Sequence, residues 1–239
     1  MFTIKIAELK IRINNIFSFS NEFCKDYLIE DDDKYDFSIT PTMELINKEH
    51  DESLPIDYPL PYCESIVIYR LIALRLYKYN SFVMHGALIR VNDEGFIFLA
   101  KSGVGKTTHL KMYLDTFKEN AEIINGDKPI IKYIDGKFYG YGTPYNGKEN
   151  MGVNKRVEIK GICFLKRGAI NFAKKMDKDE ASTLIFNQIL LPNNLEDYDI
   201  LINLLNIFIS KINTVSLECN LEKEACLVSY KALGGKIWK

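Results

Sequence analysis

The chain has few of the residues that mark unusual architectures. Its 239 residues hold only 14 Gly, 7 Pro and a single Trp, too few for collagen, a Pro-rich linker or low-complexity segments. Neither charge sign is in excess, with 31 Lys and Arg against 32 Asp and Glu, so the basic field of a dedicated nucleic-acid binder is missing. Cysteine occurs five times, at 24, 63, 163, 219 and 226, without a C-x-x-C pair. An odd and scattered set points to reduced thiols in a cytoplasmic protein, not to a disulfide framework or a zinc site. Long hydrophobic runs are absent too. The greasiest stretches, 66–76 and 200–212, are broken by Arg70 and Arg75 and by Asn203, Asn206 and Ser210. Both fall short of the roughly 18 uncharged residues of a membrane span. The first 13 residues alternate charge with apolar side chains, unlike the apolar stretch of a signal peptide. Neither nucleic acid nor membrane is expected as a partner.

What is present suits a soluble globular fold, at 47% hydrophobic and 26% charged residues. Alternating apolar positions predict a strand over 3–13, with a slip near Ala7–Glu8 read as a bulge. A short helix over 18–28, an acidic turn at 30–34, a strand over 36–40 and a Pro-rich loop at 55–61 follow. Residues 64–79 read as a helix covered on most sides. Two hairpins are predicted, one around Asn92-Asp93-Glu94 and one around Asp135-Gly136. Between them lie a helix over 106–117 and a strand over 122–125. Strands at 157–165 and 169–173 precede helices at 178–191 and 195–212, a strand at 214–219 and a helix at 222–233. The expectation is an α/β fold with a mixed sheet, forming one unit over 1–239. Within it, 1–60 make a small α+β lobe packed on a core at 81–175, and 176–239 are mainly helical.

The sharpest signal is Ala100-Lys101-Ser102-Gly103-Val104-Gly105-Lys106-Thr107-Thr108, placed after an apolar strand and opening a helix. That context is what a phosphate-binding loop requires. Glycines at 103 and 105 let successive backbone N–H groups face one anion, and the helix N-terminus adds partial positive charge. Ser102, Gly103, Val104, Gly105, Lys106, Thr107 and Thr108 are therefore the expected nucleotide-binding residues. Lys106 would reach the phosphates and Thr107 would ligate Mg²⁺. Ala100 stands where the usual pattern begins with Gly.

Three further residues are candidates for chemistry. Asp127 follows the strand at 122–125 and, in a parallel arrangement, emerges beside the loop. A carboxylate there can hold Mg²⁺ or take a hydroxyl proton. His85 is read on the strand before the loop strand. His50 is placed in a polar loop and His109 in the first helix after the phosphate loop. Lys148 lies in the Gly-rich stretch 141–152, where conformational freedom and a cation suit a closing flap. A guanine-type Asn-Lys-x-Asp motif is lacking, since 125–128 read Asn-Gly-Asp-Lys.

The run from Met84-His85-Gly86-Ala87 through the loop to Asn125-Gly126-Asp127 resembles the catalytic domain of HPr serine kinase/phosphorylase. Short kinase-like relatives, some of them tailoring ribosomally made peptides, are similar over most of the chain, including Tyr141–Glu149. The resemblance implies a phosphoenolpyruvate-carboxykinase-like P-loop fold and an ATP- and Mg²⁺-dependent kinase. It assigns His85 to the family histidine, Lys106 and Thr107 to nucleotide and metal, and Asp127 to the base that acts on the acceptor. The implied acceptor is a serine of a protein or peptide, with a small hydroxylated metabolite second, and self-association is implied as well. Two acidic positions of the family are Gly126 and Thr108 here. That departure keeps a second reading open, a nucleotide-binding accessory or sensor.

Overall fold

Two consecutive residues in the left-handed region, Ala7 (φ 51°) and Glu8 (φ 68°), fold the first segment back on itself. In the computed structural model, which describes residues 1–30, 34–101 and 103–236, 3–13 is therefore a hairpin and not one bulged strand. β1 (Phe2–Ile6) pairs antiparallel with β2 (Leu9–Ile13), Ile6 facing Leu9. A two-residue turn with positive φ matches the right-handed twist of its strands. β3 (Leu28–Ile29) and β4 (Phe37–Ile39) complete a four-stranded sheet in the order β3-β1-β2-β4. Of the acidic turn, 31–33 lie outside the described residues.

The predicted helix at 18–28 is shorter, α1 (Phe19–Phe23) followed by a single 3-10 turn. α2 (Met43–Ser53) was not expected. Thr42 caps it by accepting from Leu45 N at 3.3 Å, and His50 lies on this helix instead of in a loop. α3 (Leu60–Ala73) starts earlier than predicted because Pro61 fits the first helical turn.

The larger sheet has nine strands. In chain order they are β5 (Ser81–Val83), β6 (Ala87–Val91), β7 (Glu94–Leu99), β8 (Ala121–Asn125), β9 (Ile130–Ile134), β10 (Lys137–Tyr141), β11 (Arg156–Arg167), β12 (Phe172–Lys175) and β13 (Asn213–Cys219). Their main order is β5-β9-β10-β11-β7-β6-β8, with β13 parallel to the far end of β11 and β12 antiparallel to β13. β11 is parallel to β7, whereas β6 is antiparallel to both β7 and β8. The protein is thus mixed α/β with a mixed sheet. One consequence positions the site: β7 and β8 flank β6 and run the same way, so the loops after Leu99 and Asn125 leave from one edge.

The sheet is covered on both faces. Leu88, Ile97, Leu99 and Ile124 pack with Leu201, Leu205 and Phe208 of α6 (Leu195–Lys211), alongside α5 (Lys178–Phe186). The alternate residues Ile89, Phe96, Phe98 and Ile123 pack with Leu110 and Tyr113 of α4 (Lys106–Phe117) and with Cys226 and Tyr230 of α7 (Glu224–Ala232). This alternation is the period of two that a sheet buried on both faces imposes. A third cluster joins Ile4, Ile11 and Ile13 to Ile68, Tyr69 and Ile72 and to Val83, Ile130 and Tyr141 of the large sheet.

Two differences bear on the site. His85 is not within a strand but in the break between β5 and β6. The helix predicted over 178–191 stops at Phe186, because Ile189 pairs with Met84 and the Gln188 carbonyl accepts from His85 N at 2.7 Å. All five cysteines are free thiols. Among the described residues no helix is long and apolar enough to cross a membrane.

His109 fixes α4 to α7: its Nε2 lies 3.1 Å from Ser229 Oγ, and its ring is 4.9 Å from that of Phe98. Burial pulls its pKa from 6.5 to about 4. Its contribution to stability is complete above pH 6.5, where both states are neutral. It is lost as pH falls towards 4, because the unfolded chain takes up a proton that the folded one refuses. Between pH 7.5 and 4.5 this group should remove about 2.5 kcal/mol of stability. In urea titrations His109→Gln should lose that much less over the same interval, and equal acid losses in both proteins would refute the assignment.

Candidate active site

The loop that leaves β7 depends on backbone freedom. Gly103 (φ 77°) and Gly105 (φ 118°) sit in the left-handed region, yet a Cβ at either would meet nothing within 4 Å. The constraint is conformational, not steric. Val104 N donates to Lys101 O at 3.2 Å, and His109 N to Gly105 O at 2.9 Å, which starts α4. The first amides of α4 have no partner within the helix, which leaves an anion site at its N-terminus. Arg167, at the end of β11, donates Nε to Val104 O at 3.2 Å and Nη2 to Gly103 O. These bonds neutralise two loop carbonyls and hold the turn. Ser102 lies outside the described residues.

The second half of the site is built around Asn125, the fully buried last residue of β8. Its Oδ1 accepts from Asp127 N (2.9 Å) and Lys128 N (2.7 Å). Its Nδ2 donates to Thr143 O and Oγ1 at 3.2 and 2.9 Å. Gly86 N donates to Asp127 O at 2.8 Å, which ties the His85 segment to the same turn. Three segments distant in sequence thereby meet.

Their side chains converge on one atom. Asp127 Oδ1 lies 3.2 Å from His85 Nε2 and 3.5 Å from Lys106 Nζ. Burial pushes the Asp127 carboxyl up, but the hydrogen bond from His85 and the charges of Lys106, His85 and Lys128 together outweigh it and hold the group below its ordinary value. Asp127 is therefore ionised at neutral pH.

The expected flap is seated more firmly than its composition suggests. Gly142 N donates to Lys155 O (3.0 Å) and Val153 N to Ile124 O (3.2 Å). Thr143 is buried, and the Tyr145 ring stacks on that of Tyr69 at 3.9 Å and 14°. Only 147–150 are exposed. Lys148 stands at this tip without an ion pair among the described residues. Its neighbour Glu149 accepts from the Thr107 hydroxyl at 3.5 Å. This packing also explains Gly126, where a Cβ would lie 2.6 Å from Asn146 O. No second acid fits at that position.

His85, Gly103, Gly105, Lys106, Thr107, Thr108, Asp127 and Lys148 all line one cavity of about 1080 Å³. Val104 does not line it and faces a neighbouring one. Sequence reasoning passed over Glu149, Arg167, Asn125 and Thr143; of these, only the Asn-Gly-Asp turn carried a local signal, an Asx-type turn. The donors near the loop are hard oxygens: the Thr107 hydroxyl and the Asp127 and Glu149 carboxylates. Among the described residues no three His, Cys, Asp or Glu side chains gather into a metal cage. The set fits Mg²⁺, which takes one or two carboxylates and completes its shell with phosphate oxygens and water.

Fold and site together define a mixed α/β protein with an anion-binding loop facing a histidine- and lysine-paired aspartate. No family model matches the chain, and neither does any curated protein. Among solved structures, the HPr(Ser) kinase/phosphatase from Coxiella burnetii is similar in shape at 7% identity and a TM-score of 0.38, over 64% of this chain and 88% of that one. The relation is a distant structural one.

Asn125→Ala would leave two backbone donors and one threonine without their partner. Stability should fall by about 2–3 kcal/mol, read from urea unfolding. A loss under about 0.5 kcal/mol would show that the turn does not depend on this side chain.

Proposed function

We propose that the protein is an ATP-dependent phosphotransferase with an HPr kinase-like, phosphoenolpyruvate-carboxykinase-like P-loop fold, acting on a hydroxyl group. The observation that carries this reading is the convergence of Lys106 and His85 on Asp127 at the mouth of the 101–107 loop. The loop amides and Lys106 hold the terminal phosphates, and Thr107 and Asp127, joined by Glu149, hold the metal. Mg²⁺, when bound, supplies charge neutralisation to the phosphates. The acceptor oxygen forms the new bond to the γ-phosphorus as the bond to the β–γ bridging oxygen breaks. The acceptor proton passes to Asp127.

A carboxylate held below its usual range is a weak base. In a loose transition state the proton leaves late, so positioning outweighs basicity. Asp127 accordingly works mainly by orienting the acceptor. His85 keeps that carboxylate ionised and aimed, and Lys148 offers a further cation from the exposed tip of its loop. A serine of a protein or peptide is the favoured acceptor and a small hydroxylated molecule the second. Five free thiols suit a reducing, cytoplasmic setting.

One observation favours a different reading, a nucleotide-binding sensor. The turn carries a single acid, because the 143–152 loop leaves no space for a side chain at Gly126. Incubation with Mg²⁺-ATP separates the two: a kinase yields ADP and a labelled acceptor, a sensor neither.

Lys106→Ala should weaken ATP binding about 30-fold, the loss of one charged hydrogen-bonding partner of about 2 kcal/mol. Asp127→Asn should leave the dissociation constant within about threefold while transfer drops by about 10²–10⁴. Isothermal titration and a phosphate-transfer assay read the two quantities. Normal transfer by Asp127→Asn would remove Asp127 from the mechanism.

A further inference from the structure

A nucleotide laid along the N-terminus of α4 has two ends, and the site described so far accounts for one. The other end leads past Thr108 to a second cavity of about 660 Å³. Gly105, Thr108 and Arg167 line both cavities, so the two are continuous around the loop. The second is bounded by α4, by the end of β11 and by the turn between β13 and α7. Its walls are apolar where Met112, Leu165 and Leu221 face it, and Glu222 adds a carboxylate at the rim.

A buried polar atom in the wall supports a ligand there. His109 contributes to this cavity and is only 2% exposed. Ser229 Oγ donates to Cys226 O at 2.9 Å and therefore accepts from His109 Nε2 and from the Tyr113 hydroxyl. That arrangement puts the ring proton on Nε2. Nδ1 is left as a bare acceptor, without a partner among the described residues. Buried acceptors of this kind are rare without a donor to meet them.

Resting on the nucleotide reading above, we infer that this second cavity seats the base and ribose of the nucleoside triphosphate. The larger cavity is thereby left to the γ-phosphoryl group and the acceptor. The volume lies in the range of small-molecule sites, and flat apolar walls with a few polar groups are what a base requires. Thr108 lies at the passage between the two cavities, and Arg167 becomes a positioning residue. It braces the loop carbonyls at the point where the chain of phosphates must turn from one cavity into the other. The opposite wall of the larger cavity, with Lys25 and Asp26 after α1 and Tyr62 of α3, faces the acceptor.

Cys219 lines the second cavity and is the one half-buried cysteine, the other four being buried. Its alkylation by a small maleimide is followed by mass spectrometry with saturating ATP, with saturating inorganic tripolyphosphate, or with neither. ATP should slow the reaction at least fivefold, and tripolyphosphate by less than about 1.5-fold. In parallel, Leu221→Trp, at a position 75% exposed and so tolerant of substitution, should weaken ATP at least tenfold and leave tripolyphosphate within twofold. If wild-type protein binds ATP while Cys219 reacts at its free rate and Leu221→Trp binds normally, the nucleoside sits elsewhere and the inference fails alone. If the protein binds neither ATP nor tripolyphosphate, the phosphate-loop reading fails and takes this inference with it.

Discussion

The site depends on backbone hydrogen bonds that bring Asp127 to Lys106, more than on the attraction between those charges. An ion pair at 3.5 Å between partly exposed side chains contributes on the order of 1 kcal/mol or less, which is too little to assemble three chain segments. The assembly is done by neutral bonds in buried surroundings. Asn125 closes the 125–128 turn and grips Thr143. Gly86 N and Met84 N donate to the carbonyls of Asp127 and Pro129, and Gln188 holds His85 from the other side. Only after these are made do His85 and Lys106 stand within reach of one carboxylate oxygen. The ionic contact then tunes chemistry, by holding Asp127 ionised, and contributes little to folding.

Sheet topology sets the distance over which such tuning can act. β7 delivers the loop and β8 delivers Asp127, and both point to the same edge because β6 runs against them. A direct β7–β8 neighbour pair would crowd the first turn of α4 against the 125–128 turn. The intervening strand leaves a gap bridged by Lys106 on one side and entered by 84–86 on another. The third cluster of apolar residues adds a constraint of its own. Val83 and Ile130, which flank the His85 segment and the 125–128 turn, share a core with Ile4 and Ile11 of the small sheet. The N-terminal residues thus pack against the strands that shape the site and also line its cavity.

Much of this was legible in local sequence. The loop at 100–107 is a short-range device in which glycine spacing, strand and helix lie within one stretch of chain, and the Asp135-Gly136 hairpin carries its own turn chemistry. What escaped reading lacked local signals or depended on distant partners. The turn at Ala7–Glu8 uses residues that seldom adopt positive φ, so alternation alone suggested one strand. α2 is mostly polar, and its cap at Thr42 is a single weak mark. The position of His85 depends on Gln188, a hundred residues away. Glu149 reaches Thr107 only because the loop from 142 to 153 is pinned at both ends. Gly126 could be read as a departure, but its reason, the close approach of the Asn146 carbonyl, exists only in three dimensions.

The distribution of charge ties these elements together. The chain as a whole is nearly neutral at −1, yet the lining of the large cavity carries six Lys or Arg side chains against four carboxylates. Positive potential is therefore concentrated where the loop amides already favour an anion, and low-dielectric walls focus it further. Lys106 and Lys128 flank Asp127, while Lys101 and Arg167 stand on the loop side. This gradient points along the path between the two cavities: the cationic stretch ends at Arg167, beyond which Met112, Leu165 and Leu221 offer apolar walls. A ligand charged at one end and flat and weakly polar at the other matches that sequence of environments; a simple inorganic anion would use only half of it.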